Sequence, residues 1–126
     1  MDGRQNHPLK EIMEQLEGVE LKEKRNGLFR FRMYLSPEMS RDTIEALDLN
    51  VRSYNCLKRA GYHTVGDLAE AIAGGMKLKS IRNCGTNSSR EIMERLFLYQ
   101  YNSLGAEKRE AYLREVVELN RKESGV

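Results

Sequence analysis

The sequence has few of the residues that metal sites, disulfides and membrane spans need. Its 126 residues include no tryptophan, two prolines, two histidines and two cysteines. Cys56 and Cys84 lie far apart with no C-x-x-C pair, which argues against a four-ligand zinc site and for two reduced thiols. No run approaches the roughly 18 apolar residues that a membrane span requires. Residues 1–6 carry no apolar stretch behind a basic start, so no signal peptide is expected.

Basic and acidic residues are nearly equal in number. The protein has 21 basic and 19 acidic residues, a net charge of +2. Residues 48–95 hold 8 basic and 5 acidic residues, net +3, whereas the segments before and after them are net −1 and 0. This excess is compatible with a phosphate-facing surface but does not establish one. The sequence shows no paired carboxylates and no Ser/His/Asp set, so we expect no catalytic activity and no cofactor.

The first third of the sequence is expected to form a helix and a β-hairpin. Apolar residues recur at i, i+3, i+4 and i+7 over residues 9–16, which predicts a short helix. Two alternating segments then flank Asn26-Gly27. A three-residue loop over residues 25–27 places Leu21 opposite Phe31 on one apolar face, whereas a two-residue loop mismatches the faces. The alternative is one irregular helical segment.

Helical periodicity and capping residues predict the remaining elements. Ser36-Pro37 would end the second strand, and the chain would become helical from Ser40, where residues 40–43 cap a short turn. Asn50 or Leu49 would begin a helix that ends before Gly61, and Thr64 would cap a third helix. The predicted later elements are a short helix at 78–81, a long helix capped by Asn87 or Ser88, and a final helix over about 106–122. The apolar stripe of the final helix, expected to pack on the core or on another copy, consists of Tyr112, Leu113, Val116, Val117 and Asn120.

The segment 78–96, LKSIRNCGTNSSREIMERL, has the form of a helix-hairpin-helix motif. Gly85 in the turn would let the backbone come close to a neighbour, because no Cβ stands in the way. The amides that follow it would point out of a helix N-terminus, where they suit a phosphate oxygen, and Ser88 would add a hydroxyl. Such contacts hold a nucleic-acid backbone without reading bases. The alternative for Asn87 and Ser88 is simple helix capping.

Together with DLNVRSYNCLKRAGYHTVGDLAE at residues 48–70, this motif resembles the C-terminal domain of the bacterial RNA polymerase alpha subunit. The resemblance covers roughly residues 43–97. Because 126 residues leave no room for the large amino-terminal assembly domain of that subunit, it implies a free-standing relative. It further implies a helical domain that binds A·T-rich double-stranded DNA across the minor groove and contacts RNA polymerase or sigma factor.

The resemblance also implies which residues meet the DNA. Arg52 would enter the minor groove, where a narrow A-tract attracts guanidinium, and Asn55 would bind backbone or base-edge acceptors. Glu91 would orient Arg52 or a water. The full set of matching positions for DNA is Arg52, Asn55, Cys56, Gly85, Asn87, Ser88 and Glu91. The alternatives are a solvated helix position for Arg52 and a packing role for Cys56.

Two departures from the family pattern bear on function. Thr86 and Asn87 stand where the family usually carries lysines, which would weaken binding and flatten its salt dependence by roughly 0.9 per lost phosphate contact. Glu45 and Asp48 only partly resemble the sigma-facing acidic patch and are our candidates for partner binding. A second hypothesis is therefore an interaction module that binds polymerase or sigma factor with little DNA affinity.

The expected fold is mainly α: a compact helix-hairpin-helix bundle of the SAM-like type with additions at both ends. The predicted divisions are an N-terminal helix and hairpin at 1–42, the polymerase-alpha-like domain at 43–101 and a C-terminal helix at 102–126. We expect a non-catalytic, cytoplasmic, bacterial transcription module that binds DNA, and oligomerisation through the last helix is a further expectation.

Overall fold

The computed structural model of the protein describes residues 19–21 and 30–124, with side chains from 30 to 121. The two strands are β1 (Val19–Leu21) and β2 (Phe31–Met33), and they pair antiparallel with Val19 opposite Met33. This is the register predicted from a three-residue turn, and it contradicts the irregular helical alternative for these strands. The predicted turn at 25–27 and the helix over 9–16 lie outside the described residues.

Helix α1 (Pro37–Arg41) begins earlier than the sequence pattern predicted. The Ser36 hydroxyl accepts a hydrogen bond from the Met39 N–H at 3.2 Å, and the proline occupies the first turn, where its missing N–H costs nothing. The prediction of a helical region starting at Ser40 was wrong because the serine-proline pair was taken only as the end of a strand. A 3-10 helix follows at Ile44–Leu47.

Helices α2 (Val51–Ala60) and α3 (Val65–Ala73) confirm the predicted caps. The Asn50 side chain accepts from the Ser53 N–H at 2.8 Å, and the Thr64 hydroxyl accepts from the Asp67 N–H at 3.0 Å. Gly61 ends α2 at a φ of 94°, a left-handed conformation that favours glycine. Both ends of α2 are therefore encoded locally.

A second 3-10 helix (Leu78–Ser80) leads through a turn to α4 (Thr86–Asn102), and α5 (Ala106–Ser124) follows. The N-cap of α4 is Gly85, so the prediction that Asn87 or Ser88 caps this helix was wrong. Ser88 and Ser89 instead face inward, with 6% and 0% of their surface exposed. Small polar residues can occupy buried positions in the first turn of a helix where close packing requires a small side chain.

The core draws side chains from β2 and from every helix except α1. Gly66 shows how tightly the helices meet, because a Cβ there would lie 2.8 Å from the Ser40 carbonyl oxygen. The largest fully buried side chains, each less than 2% exposed, are Tyr112, Phe31, Met33, Ile44, Leu57, Leu68, Leu78, Ile92, Met93, Leu96 and Gln100. The predicted mainly helical bundle with a small hairpin is confirmed.

Side-chain hydrogen bonds join α5 to the backbone at β2. The Asn120 side-chain amide accepts from the Arg30 N–H and donates to the Arg30 carbonyl, both at 2.9 Å, as a neighbouring strand would. The Tyr112 hydroxyl donates to the Arg32 carbonyl at 2.7 Å. The segments on either side of the helix-hairpin-helix region therefore pack on each other, and the predicted domain boundaries stay a prediction.

The predicted single stripe of the last helix is wrong. Tyr112 and Val116 are buried, but Leu113 and Val117 remain 39% and 54% exposed. Adjacent residues differ by about 100° around a helix, so these two pairs lie on different faces. Within residues 19–21 and 30–124, no helix is both long and apolar enough to cross a membrane.

Candidate nucleic-acid interface

The Glu91 carboxylate joins the N-terminal ends of α2 and α4. One of its oxygens accepts from the Asn50 N–H at 2.9 Å, and the other accepts from the Ser53 hydroxyl at 2.5 Å. Ser53 is fully buried. These partners differ from the Arg52 or water that the resemblance implies, so the first role of Glu91 is to fix the start of α2 against α4.

A second contact brings α2 to the turn before α4. The buried Cys56 thiol donates to the Asn83 carbonyl at 2.9 Å, and Asn83 has a left-handed φ of 67°. Cys56 is only 1% exposed, so direct contact of its thiol with DNA is excluded in this conformation. The packing alternative is correct for this residue, which sets the distance between helix and turn.

The neighbouring thiol also belongs to the interior. The Cys84 thiol lies 3.8 Å from the Ser89 hydroxyl, and burial raises the pKa of this thiol. A raised pKa keeps the thiol protonated and unreactive. Within the part of the protein that the structure describes, no three His, Cys, Asp or Glu side chains form a group that could hold a metal ion.

Arg52 and Asn55 lie on the flank of α2 that borders the turn. At about 100° per residue, Arg52, Arg59 and Asn55 project about 40°, 60° and 100° from Cys56, all to the same side of it. Because Cys56 meets Asn83, the flank formed by Arg52, Asn55 and Arg59 runs beside the turn. Arg52 and Arg59 are exposed and Asn55 is half-buried. Arg52 and Asn55 thus share one flank of α2, on one side of Cys56, which contacts the segment before Gly85.

Gly85 leaves the start of α4 open. Its φ is −84°, which any residue adopts, and no atom of the described residues lies within 4 Å of the position that a Cβ would occupy. The N–H groups that follow it have no partner within their own helix. Neither backbone conformation nor internal packing therefore requires glycine at this position.

The side chains after Gly85 divide between the surface and the interior. Thr86 and Asn87 are exposed and uncharged, whereas Ser88 is 6% exposed. The Ser88 hydroxyl is therefore poorly placed to meet a phosphate, contrary to the expectation from sequence. What the turn offers to a ligand is its backbone amides and two neutral side chains.

Of the two acidic candidates, Glu45 lies away from the arginine flank. The Tyr54 hydroxyl donates to Glu45 at 2.6 Å, and this hydrogen bond lowers the pKa of Glu45 to about 2. Tyr54 is two residues after Arg52, and so about 200° around α2. Asp48, at a left-handed φ of 58°, lies 3.9 Å from the Arg95 guanidinium. Glu45 and Asp48 are both exposed.

Sequence reasoning missed the structural partners that build this surface. Asn50 was predicted as a helix cap, but its N–H and the Ser53 hydroxyl both depend on a carboxylate about 40 residues later. No sequence pattern within a few residues predicts such a contact. Arg59 had a usable signal, because it is seven residues after Arg52 and so returns to the same flank of a helix.

Residues 36–97 match a protein family described as the C-terminal domain of the alpha chain of bacterial RNA polymerase. The DNA-directed RNA polymerase subunit alpha of Carboxydothermus hydrogenoformans is 48% identical over 62 residues, which are 49% of this chain and 18% of that subunit. The same subunit of Alkaliphilus oremlandii is 52% identical over 54 residues, 43% of this chain and 16% of the subunit. The alignment thus spans less than a fifth of these relatives. No solved structure matches the protein significantly.

Proposed function

From residues 36–97, which belong to the family of bacterial RNA polymerase alpha C-terminal domains, we infer a transcription-related module, and we propose that it binds A·T-rich DNA across the minor groove. The matched relatives are named as polymerase subunits, and the matched part is a non-catalytic one. We accordingly propose a DNA-binding role without catalysis, in the cytoplasm, where bacterial transcription takes place.

The open approach to Gly85 carries this proposal. The glycine is not needed for its own backbone conformation or for packing, and it lies beside the flank of Arg52 and Asn55. A backbone left bare at the start of a 17-residue helix suits a phosphate oxygen that must come close. Arg52 would then extend into the minor groove, where a narrow A·T-rich groove concentrates negative potential.

Binding should be weak and only moderately salt-dependent. Thr86 and Asn87 supply no charge where the family usually carries lysines, so the phosphate contacts come mainly from backbone amides. Arg52 and Arg59 provide the positive charge on this side of α2. Fewer cationic contacts release fewer counterions, which lowers the slope of log affinity against log salt.

Fluorescence anisotropy with A·T-rich and G·C-rich duplexes at low and moderate salt tests the proposal. We expect preference for the A·T-rich duplex, and at least about tenfold weaker binding by Arg52→Ala. Arg41→Ala removes another exposed arginine, from α1, and is the matched control. Equal, negligible binding of both duplexes by the wild-type protein would reject the proposal.

A second substitution separates DNA contact from folding. Gly85→Ala should lower the melting temperature by no more than about 5 °C, because its Cβ meets no atom of the described residues and the only expected cost is that of a poorer N-cap. The same methyl group would obstruct a phosphate, so DNA affinity should fall severalfold. Unchanged affinity would mean that the backbone at Gly85 is not approached closely.

The alternative is an interaction module that binds RNA polymerase or sigma factor through Glu45 and Asp48. It is favoured by the two missing lysines and by the exposure of both carboxylates, of which Glu45 pairs with Tyr54, about 200° around α2 from Arg52. Retention of the 126-residue protein on immobilised polymerase or sigma factor, lost in Glu45→Gln/Asp48→Asn and kept in Arg52→Ala, would support it. Absence of retention, together with preferential binding of the A·T-rich duplex, would support the DNA-binding function alone.

A further inference from the structure

Helix α5 carries a small apolar stripe that residues 19–21 and 30–124 leave uncovered. Leu113 and Val117 are 39% and 54% exposed, although Tyr112 and Val116 of the same helix are in the core. Together with four charged side chains they surround one shallow depression, whose lining residues are Glu110, Leu113, Arg114, Val117, Glu118 and Arg121. The stripe lies outside residues 36–97, so it is not part of the matched domain.

The two outermost charges beside this stripe are ordered so that they complement a reversed copy of themselves. Leu113 and Val117 are central, with Glu110 before them and Arg121 after them. If two helices pack antiparallel about the midpoint of the stripe, Leu113 meets Val117 of the second copy. The same alignment brings Glu110 close to Arg121 of the second copy. A parallel alignment would instead place each charge on its own counterpart, which repels.

The charged side chains are accessible for such contacts. Arg114 pairs with Glu110 at 3.0 Å, and Arg121 approaches Glu118 at 3.7 Å, both within one helix. All four side chains are more than half exposed, from 52% to 73%. Exposed pairs of this kind are worth little on their own, so they can be shared with a second helix at small cost.

We propose that α5 forms an antiparallel pair with α5 of a second copy of this protein, with Leu113 and Val117 at its centre. The contact is limited to one stripe on one helix, so the association is weak and depends on protein concentration. This proposal does not depend on DNA binding, and Arg52→Ala should leave it unchanged. On DNA, the pair would present two binding surfaces in one particle.

Sedimentation velocity of the full-length protein from about 10 µM to about 1 mM is the first test, because this range reports weak association. We expect a monomer–dimer equilibrium that Leu113→Gln/Val117→Gln weakens at least about tenfold. Leu98→Gln, at a 40% exposed leucine of α4, is the matched control and should dimerise normally. Circular dichroism of each variant checks that the helices remain.

Charge exchange then tests the direction of the pair. Glu110→Arg and Arg121→Glu should each weaken dimerisation at least about fivefold, because each brings two like charges together. An equimolar mixture of these two variants should form a heterodimer with the charges again opposed. A parallel pair would leave each single variant unaffected, since its like charges would only change sign.

Three results would overturn the proposal. They are a wild-type protein that is monomeric up to about 1 mM, single charge variants that associate normally, and a mixture that shows no recovery. If the protein is monomeric and the double glutamine variant lowers its melting temperature, the stripe is covered within the same molecule, and the second copy is rejected.

Discussion

Removal of the Glu91 carboxylate should weaken the contact between α2 and α4, the two helices that form the proposed DNA surface. Glu91 accepts hydrogen bonds from the Asn50 N–H at 2.9 Å and from the Ser53 hydroxyl at 2.5 Å. Hydrogen bonds to a charged group contribute about 1.5–3 kcal/mol each, and a buried hydroxyl left without an acceptor costs about 1–3 kcal/mol. Asn50 is exposed, so water can replace the carboxylate there. We therefore expect Glu91→Ala to reduce the free energy of unfolding by about 2–4 kcal/mol.

Urea unfolding followed by circular dichroism measures this change, with a thermal melt as a second reading. For a protein of this size, the expected loss corresponds to a fall in melting temperature of roughly 8–16 °C. Glu91→Gln keeps one acceptor oxygen and should lose about half as much. Glu94→Ala, at an exposed glutamate one turn further along α4, is the control and should stay within about 0.5 kcal/mol. If Glu91→Ala were no less stable than Glu94→Ala, the inferred bridge between α2 and α4 would be wrong.

Three further predictions concern charge, pH and the C-terminal helix. Thr86→Lys/Asn87→Lys should strengthen DNA binding and steepen the slope of log affinity against log salt by about 0.9 per added contact. An unchanged slope in the anisotropy titration would mean that these positions do not contact the DNA. NMR titration should give the Glu45 carboxyl a pKa near 2, and this pKa should rise toward 4.5 in Tyr54→Phe. Because the folded pKa is depressed, the stabilising interaction is present above about pH 4.5 and is lost as the pH falls toward 2. Asn120→Ala should lower the free energy of unfolding by about 1–3 kcal/mol, since it removes two hydrogen bonds to the backbone beside β2, and hydrogen exchange of β2 amides should rise.

Much of the fold could be predicted because it is encoded locally. Asn50 and Thr64 accept hydrogen bonds from amides three residues later, so their cap roles follow from nearby sequence. The hairpin register follows from a period of two together with the short turn predicted at Asn26-Gly27, because a shift by one residue would move the apolar side chains to the opposite face. The start of α1 was equally local, and it was missed because serine before proline can also end a strand.

The candidate site could be predicted only in part. The roles of Arg52, Asn55 and Gly85 in DNA contact, which the resemblance implies, stay predictions; helix geometry places the first two on one flank of α2, on one side of Cys56, which contacts the turn before Gly85. The resemblance could not identify Ser53 as the partner of Glu91, because that contact joins residues 38 positions apart. Nor could it show that Cys56 and Ser88 are buried, since their exposure depends on how closely α2 and α4 approach.

Local sequence was enough to specify which segments are helices or strands, where most of them begin and end, and which family residues 36–97 resemble. Those properties depend on neighbours within a few residues and on side-chain period. Which polar groups face outward was settled by packing alone, because burial is set by contacts between distant segments. Because of packing, part of the apolar stripe of α5 lies in the core and part at the surface. Packing also brings Glu91 of α4 within hydrogen-bond distance of two groups at the start of α2. The same sequence pattern would have allowed either face of α5 to be covered, and contact with β2 selected one of them.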